Sequence, residues 1–206
     1  MKMLDVFLNP KISQVAATLL LVPIWMLFGY RHVNAVLLTG EWSYLFLCAS
    51  ETLTVLFLMV RTVPQSVSIV RSDWLIAILG TFSTMLLFPT QWGLLPVAKH
   101  AIVLGTGLQL LGIVSLNRSF AIVPARRQIK TAGMYRLVRH PLYASYLITF
   151  TGYLLSNSSW DNFAIYLFAM GCLLVRVYRE EAHLALDAHY RAYMQRVRFR
   201  VIPFVF

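Results

Sequence analysis

The sequence predicts an all-α, polytopic integral membrane protein, and three observations support this class. Of the 206 residues, 59% are hydrophobic and only 13% are charged, whereas soluble domains carry about 25% charged residues. Six apolar stretches approach the roughly 20 residues that a helix needs to cross a bilayer. The basic residues fall unevenly on the connections between these stretches. We therefore expect one membrane domain, residues 1–206, of about six transmembrane helices with a C-terminal helical hairpin.

The six predicted spans follow one another with short connections. They cover Ile12–Tyr30, Trp42–Val60, Trp74–Pro89, Leu95–Leu116, Leu142–Ser156 and Phe163–Tyr178. The third and fifth are short, so we expect them to include flanking residues or to tilt. The first stretch has no small-residue cleavage site and is followed by further spans, so we interpret it as a transmembrane helix rather than a signal peptide.

The distribution of Lys and Arg predicts the orientation of these helices. If the N-terminus is cytoplasmic, 16 of the 18 basic residues lie on the cytoplasmic side, and only Arg31 and Lys99 lie on the other side. Basic residues accumulate in the cytoplasmic connections of membrane proteins. We therefore expect a multi-pass protein with both termini in the cytoplasm, and we expect its location to be the bacterial inner membrane.

The net charge of +10 follows from the same distribution. It does not indicate nucleic acid, because no long hydrophilic segment could carry a nucleic-acid-binding face. Membrane lipids with anionic head groups are the expected partners. No metal is expected either, because Cys48 and Cys172 lie in apolar runs and His183, Asp187 and His189 resemble a metal-ligand set only loosely.

The chain divides near Ser115 into two parts. Residues 1–115 carry four apolar helices, and residues 116–206 carry a polar segment, a helical hairpin and a charged tail. Glu51 is an exception in the first part, because it places a carboxylate in the middle of a predicted span. Such charges are often functional, but we interpret this one as a contact between helices.

The segment GMYRLVRHPLYASYL, Gly133–Leu147, concentrates polar side chains at the start of the fifth helix. Pro141 is expected in the first helical turn, where its missing N–H is not needed, with His140 at the cap. A helix N-terminus beside Arg136 and Arg139 favours a carboxylate or an oxygen-rich ligand. The alternative interpretation is a basic anchor with interfacial tyrosines.

A second polar cluster follows the sixth apolar stretch, in LLVRVYREEAHLAL, Leu173–Leu186. Arg176 and Glu180 are four residues apart and therefore share a helix face, with Glu181 adjacent. A solvated helix end with a single ion pair is the alternative. Because the short loop Ser156–Asp161 joins the fifth and sixth helices, both clusters reach the same membrane surface, where we expect them to form a cytoplasmic pocket.

Together, these segments resemble the isoprenylcysteine carboxyl methyltransferase and phospholipid methyltransferase superfamily, in a bacterial-type branch. The resemblance rests on G-x-Y-R-x-x-R-H-P-x-Y paired with E-E, and it covers about residues 111–203. It implies S-adenosylmethionine as the cofactor and S-adenosylhomocysteine as the product. It also implies a membrane-embedded lipid or isoprenoid-type acceptor, with O-methylation of a carboxylate favoured.

The resemblance implies roles for individual residues. The implied cofactor-binding residues are Tyr135, His140, Pro141, Leu142, Tyr143 and Glu180, and a segment matched by position alone adds Arg127, Gln128, Ile129 and Lys130. Arg176 is the implied substrate-binding and catalytic residue, since a guanidinium holds a carboxylate or phosphate in fork geometry. Glu181, or His140, is the candidate base for an acceptor that must lose a proton.

Two other functions are compatible with the sequence. A sterol-reductase-like enzyme that uses NADPH has a distantly similar C-terminal region, and nicotinamide binding would distinguish it. A non-catalytic lipid-binding or transport protein is the other alternative. Transport predicts broken polar helices at the membrane midplane and an internal repeat, whereas the polar groups here collect at one predicted surface.

Overall fold

The computed structural model describes residues 10–60, 66–116, 125–126 and 129–206, with side chains for 22–56, 68–116 and 129–206. These residues form helices and one pairing of two-residue strands, which confirms the all-α class apart from that pairing. The elements are α1 (Pro10–Thr39), α2 (Ser43–Val60), β1 (Ser66–Val67), α3 (Arg71–Ser83), α4 (Lys99–Leu116), β2 (Ala125–Arg126), α5 (Pro141–Ser156), α6 (Trp160–Leu184) and α7 (Ala188–Arg196). Short 3₁₀ turns occur at Thr84–Leu86, Pro96–Ala98 and Gly133–Arg136.

The first helix is longer than the sequence predicts. The predicted span ends at Tyr30, but α1 continues to Thr39, because no Gly or Pro occurs between these residues. Gly40, with a φ of +73°, ends the helix, and its N–H donates to the carbonyl oxygen of Val36 at 2.8 Å. Arg31, which the sequence places in a connection, therefore lies within α1.

The third helix is shorter than predicted. It begins at Arg71, ends at Ser83 and continues only as a 3₁₀ turn to Leu86, whereas the predicted span reaches Pro89. A proline disfavours the helical conformation at the residue before it, so the chain leaves the helix before Pro89.

The outer faces of the helices are apolar, as expected for a membrane protein. Two helical segments of the described residues, Pro96–Leu116 and Trp160–Leu184, are long and apolar enough to cross a bilayer, and Ser43–Leu56 is apolar but shorter. Val114 on α4 is 75% exposed and Leu167 on α6 is 53% exposed. Soluble monomers rarely expose large contiguous apolar surfaces.

Small residues let α4 and α5 pack closely. A Cβ atom added at Gly105 would lie 2.1 Å from Oγ1 of Thr149, and one at Gly152 would lie 2.7 Å from Cβ of Ala101. Such close approach of backbones is typical of helix pairs in membranes, where small residues occupy the interface. This packing positions the start of α5 beside the end of α4.

Buried polar side chains hold the α5–α6 hairpin at its loop end. Asn157 in the loop accepts a hydrogen bond at Oδ1 from the hydroxyl of Tyr44 at 2.7 Å. The side-chain amide of Asn162 donates to the carbonyl oxygen of Asn157 at 2.8 Å. Because Tyr44 belongs to α2, this network ties the hairpin to the N-terminal helices.

The opposite end of the hairpin is held by the segment 197–206. The N–H of Arg139 donates to the carbonyl oxygen of Phe199 at 2.9 Å, and the N–H of His140 donates to that of Arg200 at 2.8 Å. These bonds place the segment beside the residues that start α5.

Candidate functional site

A cavity opens between α2, α3, α5, α6 and α7, with the last residue of α4, Leu116, also on its wall. Its polar end lies at the start of α5 and the end of α6, where His140 and Glu180 line it. Its inner end lies half-way along the same two helices, where Phe150 and Ala169 line it. The predicted residues that line this cavity are Ile129, Lys130, Tyr135, His140, Leu142, Tyr143, Arg176 and Glu180.

Four predicted residues lie elsewhere or are not described. Pro141 is the first residue of α5 and is buried, and Glu181 is buried outside the cavity lining. Arg127 and Gln128 lie outside the described residues.

His140 occupies the predicted N-cap position, but its side chain makes no cap hydrogen bond. The ring turns instead towards the end of α6, where its Nε2 lies 3.2 Å from Oε1 of Glu181.

Tyr143, Arg176 and Glu180 form one polar cluster on the cavity wall. The hydroxyl of Tyr143 donates to Oε1 of Glu180. The guanidinium of Arg176 lies over the Tyr143 ring, 5.1 Å from its centroid, and its Nη2 lies 3.9 Å from Oε1 of Glu180. Nη1 of Arg176 also donates to Oγ1 of Thr81 on α3 at 3.1 Å. The cluster thus presents a carboxylate and a cation to the cavity from one side.

The two adjacent glutamates differ in their surroundings. Glu181 accepts hydrogen bonds from Nε of Arg139 at 2.6 Å and from Nε of Arg200 at 2.7 Å. The bond to Glu181 raises the pKa of the Arg200 guanidinium. Glu180 lies on the cavity side, where it meets Tyr143 and Arg176. Of the two carboxylates, Glu180 is therefore the one placed to meet a ligand.

Three tyrosines form the cavity wall nearest α7. Tyr135, Tyr190 and Tyr193 pack together, and the hydroxyl of Tyr193 donates to the carbonyl oxygen of Tyr135 at 2.7 Å. Burial raises the pKa of all three phenols, so they are neutral at physiological pH. Their ring faces suit stacking with an aromatic ligand or contact with a cation.

The sequence interpretation missed part of this site. Tyr190 and Tyr193 were not predicted as site residues, although their three-residue spacing places both on one face of α7. Glu51, interpreted above as a contact between helices, lines the cavity with Thr54, Thr81 and Thr84. The signal for Glu51 is its charge in the middle of a predicted span. No local signal identifies the three threonines, because α2 and α3 meet α5 and α6 only in the folded chain.

Comparison with known proteins identifies the part of the chain that carries most of this site. Residues 91–191 match the phospholipid methyltransferase family. This match supports the predicted isoprenylcysteine and phospholipid methyltransferase superfamily. The match includes α5, α6 and the tyrosines Tyr135 and Tyr190, whereas Glu51, Thr54, Thr81 and Thr84 lie outside it.

One curated protein also matches the chain. The chain is 28% identical over 148 residues, 70% of its length, to a methanethiol S-methyltransferase of Pseudomonas sp. (strain GM41(2012)). It spans about half the length of that relative, with 53% covered. Family and relative agree in indicating a methyltransferase.

Proposed function

We propose that the protein transfers a methyl group from S-adenosylmethionine to a lipophilic acceptor that enters the cavity from the membrane. The observation that carries this proposal is the cluster of Tyr143, Arg176 and Glu180 on the cavity wall. It lies within the residues that match a methyltransferase family.

The side chains of the polar end fit the chemical groups of S-adenosylmethionine. Glu180 would accept hydrogen bonds from the ribose hydroxyls or the ammonium group, and Lys130 at the same end of the cavity would attract the carboxylate. The tyrosines Tyr135, Tyr190 and Tyr193 offer ring faces for the adenine. These residues are those that would hold the cofactor.

The cofactor supplies an electrophilic methyl group, so the protein's own residues need only hold the reactants in line and exclude water. Arg176 on α6 links this helix to α3 through its hydrogen bond to Thr81 and also lies near Glu180 on its own helix. His140 stacks on Tyr143 with ring centroids 5.4 Å apart, which fixes the orientation of that tyrosine. Glu181, held by two arginines, would position His140 and the start of α5 rather than act as the base.

Two acceptor classes follow from different residues. The sequence favours a carboxylate, which Arg176 would bind in fork geometry. The relative's name specifies a small thiol for that protein. Glu51 on the cavity wall favours an acceptor that is not itself an anion, because two carboxylates in one apolar cavity repel each other.

The proposal places the site at the cytoplasmic surface of one multi-pass membrane domain. Residues 1–115 would complete the cavity walls and residues 116–206 would carry the cofactor-binding residues, with six spans and both termini in the cytoplasm. The excess of Lys and Arg on the predicted cytoplasmic side supports this orientation. The exposed apolar faces of α4 and α6 support the location in a membrane. The bacterial inner membrane is the corresponding location, with membrane lipids and the acceptor as partners. The family match favours this function over the NADPH reductase and transport alternatives.

The first test is direct binding of S-adenosylmethionine and S-adenosylhomocysteine to the detergent-purified protein. We expect micromolar binding by the wild type and at least tenfold weaker binding, about 1.4 kcal/mol, by Glu180→Gln and His140→Ala. The matched control is Glu41→Gln, because Glu41 pairs with Lys99 at 2.7 Å and does not line the cavity. A folded wild-type protein that binds NADPH but neither sulfur compound would instead support the reductase.

A further inference from the structure

The inner end of the cavity contains a carboxylate that the proposed cofactor site does not use. Glu51 on α2 is only 3% exposed and lines the cavity. Among the described residues, no hydrogen bond or ion pair reaches its carboxylate. A buried carboxylate is costly unless a partner offsets its desolvation. Glu51 is therefore placed to meet a ligand that donates a proton.

The neighbours of Glu51 are already engaged with each other. Thr54 accepts a hydrogen bond from Nε2 of Gln109 at 3.0 Å and donates to the carbonyl oxygen of Ser50 at 3.1 Å. Thr84 donates to the carbonyl oxygen of Thr81 at 3.1 Å. These polar side chains therefore have protein partners, while the apolar Phe150 and Met170 line the same cavity as Glu51.

We propose that this inner end is the acceptor chamber and that Glu51 is a catalytic residue which binds the S–H group of a small alkyl thiol and takes its proton. The inference rests on the proposed function, because it needs a methyl donor at the polar end of the same cavity. It names the acceptor class and a residue that lies outside the family match.

The reaction balances with this assignment. The thiol proton passes to a carboxylate oxygen of Glu51, and the S–H electron pair stays on the thiol sulfur and becomes its new bond to the methyl carbon. The electron pair of the broken bond stays with the methyl donor. Glu51 is then a neutral carboxylic acid until its proton passes to water once the product has left the cavity.

Charge in the cavity distinguishes a thiol from the other acceptor classes. The carboxylate of Glu51 would repel a carboxylate acceptor. Arg176 and the sulfonium of the donor would repel an ammonium acceptor. A thiol enters neutral, and it gives up its proton more readily than a hydroxyl does. The apolar Phe150, Ala169 and Met170 suit the alkyl part of such a molecule.

The experiment compares 1-hexanethiol, hexanoate and hexylamine as probes of the detergent-purified wild-type protein. We expect 1-hexanethiol alone to raise the melting temperature in the absence of cofactor, because a ligand that binds the folded state stabilises it. We also expect methyl transfer from S-adenosylmethionine to 1-hexanethiol and not to the other two probes.

The variant Glu51→Gln preserves size but does not accept a proton. We expect it to bind S-adenosylhomocysteine as the wild type does and to methylate 1-hexanethiol about 100-fold more slowly at neutral pH. Its rate should recover as the pH rises towards the pKa of the thiol, because the thiolate then arrives without its proton. Two other titratable or charged groups, Tyr146 on α5 and Arg176 on α6, line the same cavity. Cys48 on α2 interacts electrostatically with Glu51 without lining the cavity, and the described lining residues of α3 and α4 contribute no titratable group. The matched control is Glu41→Gln, which should behave as the wild type.

The other outcomes separate this inference from the proposed function. Binding of S-adenosylhomocysteine without transfer to 1-hexanethiol, or with transfer to hexanoate that Glu51→Gln leaves intact, overturns the inference alone. Absence of cofactor binding by the folded wild type overturns both. If Glu51→Gln does not fold, the comparison of the three probes on the wild type still decides the acceptor class.

Discussion

Tyr143 on α5 donates its hydroxyl hydrogen to Glu180 on α6, so one hydrogen bond joins the two segments that carry the superfamily resemblance. The hairpin holds these helices together at its loop end through Asn157 and Asn162. At the other end, the bond between Tyr143 and Glu180 fixes a carboxylate on the cavity wall. The polar end of the site therefore depends on a contact between helices rather than on either helix alone.

Replacing Tyr143 with Phe removes this bond. Hydrogen bonds to charged groups contribute about 1.5–3 kcal/mol, so Tyr143→Phe should bind S-adenosylhomocysteine at least tenfold more weakly in a calorimetric titration. Tyr166→Phe is the matched control, because Tyr166 and Thr151 also join α5 and α6, at 2.8 Å, outside the cavity lining. Equal loss of affinity in both variants would show that helix contact in general, and not the position of Glu180, supports binding.

Glu181 should matter for stability more than for chemistry. It is buried and binds Arg139 and Arg200, and removing one partner of a buried ion pair costs about 3–5 kcal/mol. We expect Glu181→Gln to lower the melting temperature strongly. Arg200→Met should lower it less, because the Arg200 side chain is 33% exposed. A Glu181→Gln protein of unchanged stability that binds cofactor but transfers no methyl group would support the catalytic role that the sequence predicts.

Arg176 should not be replaceable by Lys. Its guanidinium contacts the Tyr143 ring and Thr81 at the same time, and an ammonium does not reproduce this planar geometry. We expect Arg176→Lys to lower the rate of methyl transfer at least about tenfold. The control is Arg179→Lys, since Arg179 is one turn away and pairs with Asp73 at 2.9 Å outside the cavity lining. Comparable rates for Arg176→Lys and the wild type would contradict the assigned role.

Gly105 should tolerate no side chain. A Cβ atom there would lie 2.1 Å from Oγ1 and 2.8 Å from the backbone nitrogen of Thr149, and overpacking costs about 1–3 kcal/mol. We therefore expect Gly105→Ala to lower the melting temperature in detergent. Gly107→Ala is the control on the same helix, because no atom lies within 4 Å of its added Cβ. If the two variants have the same melting temperature, the packing of α4 against α5 does not require the close contact.

The helices and the main polar cluster could be predicted because their signals are local. Runs of apolar residues locate the helices, and the dipeptide His140–Pro141 marks the start of α5. The four-residue spacing of Arg176 and Glu180 places them on one helix face. The short hairpin then requires the ends of α5 and α6 to be neighbours, as the bond between Tyr143 and Glu180 confirms.

The sequence by itself determined the all-α class, the approximate position of each apolar helix and the pairing of the two polar segments, since these depend on composition and on spacing along one helix. Only the tertiary structure decided which of two adjacent glutamates faces the cavity. One residue rotates a helix by about 100°, and the arginines at positions 139 and 200 that bind Glu181 arrive from elsewhere in the chain. Glu51 likewise became part of the site only where α2 packs against α5 and α6. Neighbours distant in sequence decide which buried carboxylate is placed to meet a ligand and which one binds an arginine. No local sequence pattern indicates these neighbours.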